Sequence, residues 1–526
     1  MSRHAAFVEE PRVIDEEKFQ TPDHAEYDGG SIAPTGTRRT DSEKSLHSEA
    51  GLVHKRETSK ATRKLLLKMD LCILPFAVLL YLSAYLDRGN LANARLQGLQ
   101  EEVLDGSDTN YSIALSCFFV TYIACSIPGT LLAKAINPSY SIAFGAITWS
   151  IAATCQAAAV NRGGIFACRL FVGIGEAMFG QAMAFHLSLW YTKKDLAKRI
   201  GLFISAGALS GAFGGLIAFG VNSMKHTKIE PWRILFLIEG CPSLLLAICV
   251  ALFMPSRPES SRLLNEDERT LCLTRLNEEN TMETGTGIDW RGVRRTFTDP
   301  KAYVISMGYS CLNLGLGSVG GFLPTIIKGL GYTNAQANQA QLFTVPPYAV
   351  ALVFMLILTS LSDRHQTRGI PAAVVFGIGI TGWAILLAVN AHAPSSSELH
   401  ARYFGCICVV TAGYTNIPLV MSWVSGNSPN QSQRAAALGM LNTLGQCLSL
   451  AAAFLFPSNE KPQFRKGCIV NVAFQCFGLL IMLGMTAFLR WQNKQRDEKE
   501  GGRPAKGSHL ETFDKFDLAP GFRYVP

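Results

Sequence analysis

Twelve apolar stretches, each about 20 residues long, constrain the fold of this chain more than any other feature. An α-helix rises 1.5 Å per residue, so a stretch of about 20 apolar residues crosses the ~30 Å hydrocarbon core of a bilayer. The stretches are 69–88, 111–133, 140–159, 164–186, 200–222, 234–254, 302–325, 341–361, 370–391, 403–424, 435–456 and 469–490. We therefore predict an all-α polytopic membrane protein with twelve transmembrane helices.

The stretches form two groups of six, which predicts two six-helix halves at 68–254 and 302–490. Residues 255–301 separate the halves and are predicted to form a central cytosolic loop. Two repeats packed around a site at the membrane midplane are typical of secondary transporters. The polar segments 1–67 and 491–526 are predicted to be cytosolic tails, the first of them disordered.

Lysine and arginine are concentrated before the first apolar stretch, between the fourth and fifth, and after the twelfth. Since such residues stay on the cytosolic side, both termini are expected in the cytosol. The net charge of +8 is then explained by anchoring at the membrane surface, and no nucleic-acid partner is expected. The polar start of the chain does not have the pattern of a cleavable signal peptide.

The chain lacks the motifs of most chemical functions. Its 14 cysteines are scattered, and no Cys/His cluster has the spacing of metal ligands, so neither a metal nor a cofactor is expected. There is no phosphate-binding loop, nucleophile elbow or HExxH motif, which argues against an ATP-driven pump and against an enzyme.

The stretch "ACRLFVGIGEAMFG" carries two charges inside an apolar run. Arg169, Gly173, Glu176 and Gly180 follow one another at spacings that share a helix face. A charge at the bilayer centre costs ~2.5–3.5 kcal/mol on insertion scales, so this face is expected to contact a cavity or a neighbouring helix. Arg169 and Glu176 are thus candidates for substrate or proton binding. The alternative is a buried ion pair that only fixes helix packing.

Other polar side chains within the apolar stretches are candidates with an equally plain alternative. Asp87 and Arg88 lie near the outer end of the first stretch, where a charged membrane boundary would also explain them. Glu239 is expected to pair with Arg233 or with a backbone donor. Four amides either bind a ligand or form hydrogen bonds between helices: Asn313, Asn416, Asn442 and Gln446.

Two loops resemble a signature of the major facilitator superfamily. "TSLSDRHQTRG" carries Asp363, Arg364 and Arg368 in the acidic and basic pattern of that signature. The equivalent loop of the first half keeps Lys134 but has Ala133 where the acid usually stands. The resemblance implies that the four charged residues act in gating.

Several blocks between about residues 65 and 495 resemble one branch of that superfamily, the fungal allantoate permeases among the anion:cation symporters. They include "LLYLSAYLDRGNLANARLQGL", "ACRLFVGIGEAMF", "PWRILFLIEG" and "SWVSGNSPNQSQRAAALGMLNTLGQ". The resemblance implies proton-coupled transport of small organic anions, often carboxylates. The family's arginine of helix 1 corresponds to Arg88, a candidate for the substrate, and its acid of helix 4 to Glu176, a candidate for the proton. Asp87, beside Arg88, is a further candidate for proton coupling.

Three positions depart from the branch pattern and are expected to shape the cavity, namely Gln181, His186 and Gln446. The expected partners are a small organic anion, protons and the lipid bilayer, and the expected form is a monomer in the plasma membrane. Two other functions remain open at this point. One is an exporter of a fungal secondary metabolite, and the other is a nutrient sensor that does not transport.

Overall fold

The structure is a computed structural model, and it describes residues 41–224, 228–278, 288–328, 342–390, 395–502 and 515–526. Within these ranges, side chains are not described for 41–59, Gln181, Lys193, Lys194, Ala197, Asn277, Glu278 and Lys328. By contacts the chain divides into a first unit, Met1–Lys60, and a second unit, Ala61–Pro526. The described residues of the first unit, 41–60, are helical.

Twelve helices of the described residues are long and apolar enough to cross a membrane. They are α1 Lys60–Leu96, α2 Asp108–Ala135, α3 Pro138–Ala158, α4 Arg162–Trp190, α5 Lys198–Asn222, α6 Pro231–Phe253, α7 Pro300–Ile327, α8 Val345–His365, α9 Gly369–Ala388, α10 Ser396–Gly426, α11 Gln431–Ala452 and α12 Arg465–Glu500. The predicted all-α fold with twelve transmembrane helices is confirmed.

Local sequence signals set several helix ends. The side chain of Asn161 accepts a hydrogen bond from the backbone N–H of Gly164 at 2.9 Å and caps α4. Ser395 and Glu398 form a reciprocal capping box at the start of α10. These contacts satisfy N–H groups that have no partner within the helix. Polar residues between the apolar stretches thus define where these two helices begin.

The first half is built around α4, which packs against α2 and α3, while α3 packs against α6. Glycines allow the α3–α4 approach, because a Cβ on Gly175 would lie 2.6 Å from the carbonyl oxygen of Gly145. In the second half, α9 packs against α10 and α12, and α8 packs against α10. The halves meet along α2 with α11 and along α5 with α8.

We call the side of the central connection, residues 255–299, the inner side, and the opposite side the outer side. The connection contains two short helices, Glu266–Glu278 and Trp290–Thr298. The helix Trp290–Thr298 packs against α11. Residues 279–287 between the two helices lie outside the described residues.

Both predicted tails differ from the structure where they join the bundle. Residues 60–67 belong to α1 and 491–500 to α12, because an apolar stretch marks only the part of a helix that crosses hydrocarbon. Residues 515–526, which we call the C-terminal clasp, fold back onto the inner side of the second half. The carbonyl oxygen of Val525 accepts hydrogen bonds from Trp423 Nε1 at 2.7 Å and Asn427 Nδ2 at 3.1 Å.

Candidate functional site

Two cavities meet at the centre of the bundle between the halves, one nearer the outer side and one nearer the inner side. The outer cavity has an empty volume of about 1020 Å³ including its opening. Its lining comes from α1, α2, α4 and α5 of the first half and from α7, α8, α10 and α11 of the second. The inner cavity has an empty volume of about 430 Å³. Tyr85, Arg88 and Gln446 line both cavities, so these residues lie where the two meet.

Arg88 of α1 forms an ion pair with Glu176 of α4 at this junction. Its Nε donates to Glu176 Oε2 at 3.1 Å, and its Nη2 donates to the same oxygen. The Glu176 side chain is 1% exposed and that of Arg88 is 19% exposed. Arg88 therefore lies at the surface of both cavities, and the less exposed Glu176 borders only the inner one. The interpretation of Arg88 as part of a charged membrane boundary is wrong.

Aromatic rings surround the guanidinium of Arg88. Its central carbon lies 4.7 Å from the ring centre of Tyr85, 4.8 Å from that of Phe118 and 5.1 Å from that of Tyr122. Such contacts stabilise a cation where water is scarce. They also fix the plane of the guanidinium, which matters for binding a planar carboxylate.

These aromatic residues were not predicted from the sequence as part of the site. Tyr81, Tyr85 and Arg88 follow one another at spacings of four and three, which places them on one face of α1 and would have been a signal. The rings contributed by the second half, Tyr348 and Tyr414, are brought to the cavity by tertiary packing. Sequence spacing within α1 does not predict them.

Arg169 does not pair with Glu176, although the two share a helix face. Arg169 is 1% exposed and lines the outer cavity. In the part of the chain that the structure describes, its Nε and Nη2 have no hydrogen-bond partner. The alternative of a buried ion pair within α4 is therefore wrong, because α1 packs close enough for Arg88 to pair with Glu176.

Amide and hydroxyl groups of the second half face Arg88 across the cavities. Gln446 Nε2 donates to Asn313 Oδ1 at 3.3 Å, and Ser449 Oγ donates to Gln446 Oε1 at 2.8 Å. All three residues line the outer cavity. They supply both donors and acceptors opposite the cation. Ser449 was not among the residues selected from sequence.

The two other selected amides connect helices. Asn442 Nδ2 donates to Ser126 Oγ at 2.8 Å and so joins α11 to α2, and Asn442 also lines the inner cavity. Asn416 Nδ2 donates to the carbonyl oxygen of Ala372 at 3.3 Å and joins α10 to α9. Asn416 lines neither of the two central cavities described above.

Two acids lie deep in the first half, away from the cavity lining. Asp87 is 1% exposed and accepts a hydrogen bond from Ser243 Oγ at 3.1 Å, so it is not a membrane-boundary residue. Glu239 is 4% exposed. The expected pairing of Glu239 with Arg233 is wrong, because Arg233 donates to Glu102 at 2.7 Å near the outer end of α6.

His186 lies away from both central cavities. It is fully buried toward the inner end of α4, where its ring centre is 6.3 Å from that of Trp190. The expectation that His186 shapes the cavity is wrong, because the inner third of α4 is enclosed by protein. The side chain of Gln181 lies outside the described residues.

The four residues assigned to gating are at the inner side. Lys134 at the end of α2 donates to Ser432 at the start of α11, which connects the two halves. Asp363 pairs with Arg368, whose Nη1 also donates to Ser362 Oγ at 3.0 Å. Asp363, Arg364 and Arg368 line a further cleft between α5 and α8.

Metal ligands are not grouped in this architecture. Among the described residues, there is no group of three His, Cys, Asp or Glu side chains that could hold a metal ion. A bundle of two six-helix halves with cavities at its centre fits transport across a membrane, and the sequence profile described as Major Facilitator Superfamily matches residues 77–454. The chain belongs to the major facilitator superfamily. As a transporter of this superfamily, it is not an enzyme.

Relatives within the superfamily align over most of their length. The chain is 29% identical to the MFS-type transporter efuF of Hormonema carpetanum, with 88% of this chain and 92% of the relative covered. It is 28% identical to the major facilitator-type transporter hxnP of Emericella nidulans, with 89% and 94% covered. Both relatives are named as transporters of the superfamily.

The solved proton:xylose symporter XylE has the same fold. A structure of XylE with bound 6-bromo-6-deoxy-D-glucose aligns with a TM-score of 0.62 at 14% identity, and covers 79% of this chain and 96% of that one. A partially occluded, inward-open structure of XylE from E. coli gives 0.60. At this identity the likeness describes the fold alone.

Proposed function

We propose that the protein is a secondary active transporter of a small organic anion, and that it carries the anion together with protons by alternating access. The single observation that carries this proposal is the Arg88–Glu176 pair at the junction of the two cavities. A carboxylate of the substrate would compete with Glu176 for the same guanidinium.

The competition links the anion to a proton. Arg88 binds one carboxylate at a time in the planar, two-bond geometry that a guanidinium favours. A proton on Glu176 weakens its hold on Arg88 and frees the guanidinium for the substrate. Loss of that proton restores the internal pair and expels the anion. The site then alternates between an internal pair and a substrate pair with one proton bound.

Groups on both halves would complete the substrate site. Arg169 contributes a second positive charge at the outer cavity, and Asn313 and Gln446 bind the polar part of the substrate from the second half. The rings of Tyr85 and Tyr348 contact its apolar part. Asp87 lies beside Arg88 in sequence and serves proton coupling as an ionised neighbour, while Glu176 exchanges the proton.

Orientation and gating belong to the same proposal. The inner side is the cytosolic side of the plasma membrane, with both termini on it, and the protein acts as a monomer. Lys134 holds the cytosolic ends of α2 and α11 together, and Asp363 with Arg368 orders the loop between α8 and α9. These contacts would break and re-form as the halves rock.

Uptake driven by a proton gradient in proteoliposomes tests the proposal. Purified protein is reconstituted, a panel of radiolabelled carboxylic acids is presented outside, and an inward proton gradient is imposed. We expect accumulation of at least one carboxylate and none of its primary amide, since only the acid can replace Glu176 on Arg88.

Equal uptake of an acid and its amide would contradict anion recognition, and accumulation that ignores the proton gradient would contradict symport. Binding of an acid without any flux would show a sensor. An apolar solute that moves only outward would show an exporter.

A further inference from the structure

The interior of the first half contains more acids than cations. Away from the helix ends, α1, α4 and α6 carry five described side chains that are charged in water and at most 19% exposed. They are the cations Arg88 and Arg169 and the acids Asp87, Glu176 and Glu239. Burying a net charge in hydrocarbon is unfavourable. With two cations and three acids, this interior is neutral only when one acid carries a proton.

Glu176 is not the acid that needs this proton in the arrangement observed. It accepts from Arg88 through both Nε and Nη2, so its charge is compensated by a direct pair. The remaining charges are those of Arg169, Asp87 and Glu239. One cation, Arg169 at the outer cavity, therefore remains for two acids.

Ser243, one turn after Glu239 on α6, links the Asp87 carboxylate to the backbone of Glu239. Its hydroxyl lies 3.1 Å from Asp87 Oδ2 and 2.8 Å from the carbonyl oxygen of Glu239. We call Asp87 and Glu239 the buried acid pair. The charged or titratable groups that face this pair from the neighbouring helices are Arg169 and Glu176 of α4.

In the part of the chain that the structure describes, no group donates a hydrogen bond to the Glu239 carboxylate. Over the described ranges, neither of its carboxylate oxygens has a hydrogen-bond partner, and the amide of Asn90 lies beside it without meeting hydrogen-bond geometry. Asp87 Oδ1 is also without a partner. An ionised carboxylate in such surroundings lacks the compensation that buried charges require, whereas a carboxylic acid can donate its own proton to the neighbouring carboxylate.

We propose that the buried acid pair binds one proton when the central cavity holds no substrate, with Glu239 as its carrier and Asp87 as the ionised neighbour facing Arg169. This site is separate from Glu176 and does not line the cavities. With Glu239 protonated, four interior charges remain, two positive and two negative, and they balance.

The interior charge balance also bears on the coupling of proton and anion transport, an extension that rests on the proposed function. An arriving carboxylate adds one negative charge to the same interior. Neutrality then requires a second proton, on Glu176, while Glu239 keeps the first. The buried acid pair thus makes it possible for Glu176 alone to exchange its proton in each cycle.

Infrared spectroscopy of the full-length protein in lipid, at neutral pH and without substrate, tests the site. A protonated carboxyl group has a carbonyl stretching band that ionised carboxylates lack, and that band shifts when D₂O replaces H₂O. We expect this band in the wild-type protein and its loss in Glu239→Gln and in Asp87→Asn, because either change removes the surplus acid. Arg169→Gln removes a cation and should enlarge the band. Glu102→Gln, at an acid on the outer side, should leave it unchanged.

The absence of the band from the wild-type protein would overturn the proposal, and so would an undiminished band in Glu239→Gln. An unchanged band in Arg169→Gln would show that charge balance does not govern the proton. Loss of the band when sodium chloride replaces potassium chloride would assign the pair to a metal cation. Since none of these spectra needs a substrate, the test stands even if the proposed anion transport fails.

Discussion

At the scale of single residues, Arg88 combines three kinds of contact. It pairs with Glu176, lies against three aromatic rings and borders both cavities. The rings hold the guanidinium plane while the ion pair uses its Nε and Nη2 donors. A substrate carboxylate would therefore meet a cation that is already oriented.

Arg88→Lys should weaken substrate binding by about tenfold or more, equivalent to ~1.4 kcal/mol, although it keeps the charge. An ammonium group has neither the two parallel donors of a guanidinium nor its flat face. The concentration dependence of exchange in proteoliposomes measures this. Arg233→Lys is the matched control, because Arg233 also pairs with a glutamate and lies over a ring, 4.2 Å from Trp232. Equal apparent affinity in the Arg88 variant and in this control would argue against Arg88 as the anion site.

Glu176→Gln should abolish accumulation driven by a proton gradient while substrate binding and exchange persist. Glutamine resembles the protonated acid and cannot release a proton, so Arg88 stays free for the anion. Uptake with and without the imposed gradient measures the effect, and Glu102→Gln serves as the control acid on the outer side. If the variant accumulates substrate to the wild-type level with the usual pH dependence, the proton site lies elsewhere.

At the scale of elements, the C-terminal clasp ties the inner ends of several helices of the second half. Asp517, which is 1% exposed, accepts from Arg295 at 2.9 and 3.0 Å and from Lys301 at 3.2 Å. Burial raises the pKa of this carboxyl, but the hydrogen bonds and charges of Arg295 and Lys301 outweigh it and hold the pKa well below its ordinary value.

Asp517→Asn should destabilise the clasp by about 2–3 kcal/mol at neutral pH, because it leaves two cations without their buried partner. Hydrogen exchange of the amides of residues 515–526 measures the loss of protection. A carboxyl whose pKa is lowered by folding contributes stability above its unfolded pKa of about 3.9 and loses it as the pH falls toward the folded value. The difference between wild type and variant should therefore be full at pH 7 and shrink below about pH 4.

Glu266→Gln provides the comparison for this measurement, since Glu266 pairs with Arg269 but its side chain is 86% exposed. Exposed pairs contribute little, so this change should leave protection nearly unaltered. Wild-type protection in Asp517→Asn would mean that the apolar contacts of Phe522 and Tyr524 hold the clasp without the ion pairs.

At the scale of the whole molecule, α2 and α11 join the halves at both membrane sides. On the inner side Asn442 donates to Ser126, and on the outer side Ser112 donates to the carbonyl oxygen of Ala453 at 2.7 Å. Gly439 lets α11 lie close to α2, since a Cβ there would lie 3.2 Å from Ile127 Cα. Transport by alternating access requires these two sets of contacts to open in turn.

A disulfide between Ile127→Cys and Gly439→Cys should stop transport, and reduction should restore it. The pair is made in a background without the 14 native cysteines, and uptake is measured before and after oxidation. The control pair is Ala159→Cys with Gly164→Cys, where a Cβ on Gly164 lies 3.5 Å from that of Ala159 and both residues belong to the first half. Transport that continues with the first pair fully cross-linked would exclude separation of α2 from α11 at the inner side.

The sequence by itself determined the twelve helices and their grouping into six and six. A stretch of about 20 consecutive apolar residues predicts each helix, and this local property does not depend on which other helices pack against it. The same reasoning identified Arg88, Arg169, Glu176 and Glu239, because a charge inside an apolar stretch stands out whatever the fold.

Only the tertiary structure decided which of these charges meet. The pairing of Glu176 with Arg88 rather than Arg169 depends on how α1 and α4 are rotated and how closely they pack, and a single sequence does not encode either in local spacing. The same holds for Tyr348 and Tyr414, which reach the cavity from the second half, and for His186, which packing encloses. Hydrophobic length is read along the chain, whereas a binding site is assembled across it by contacts between residues far apart in sequence.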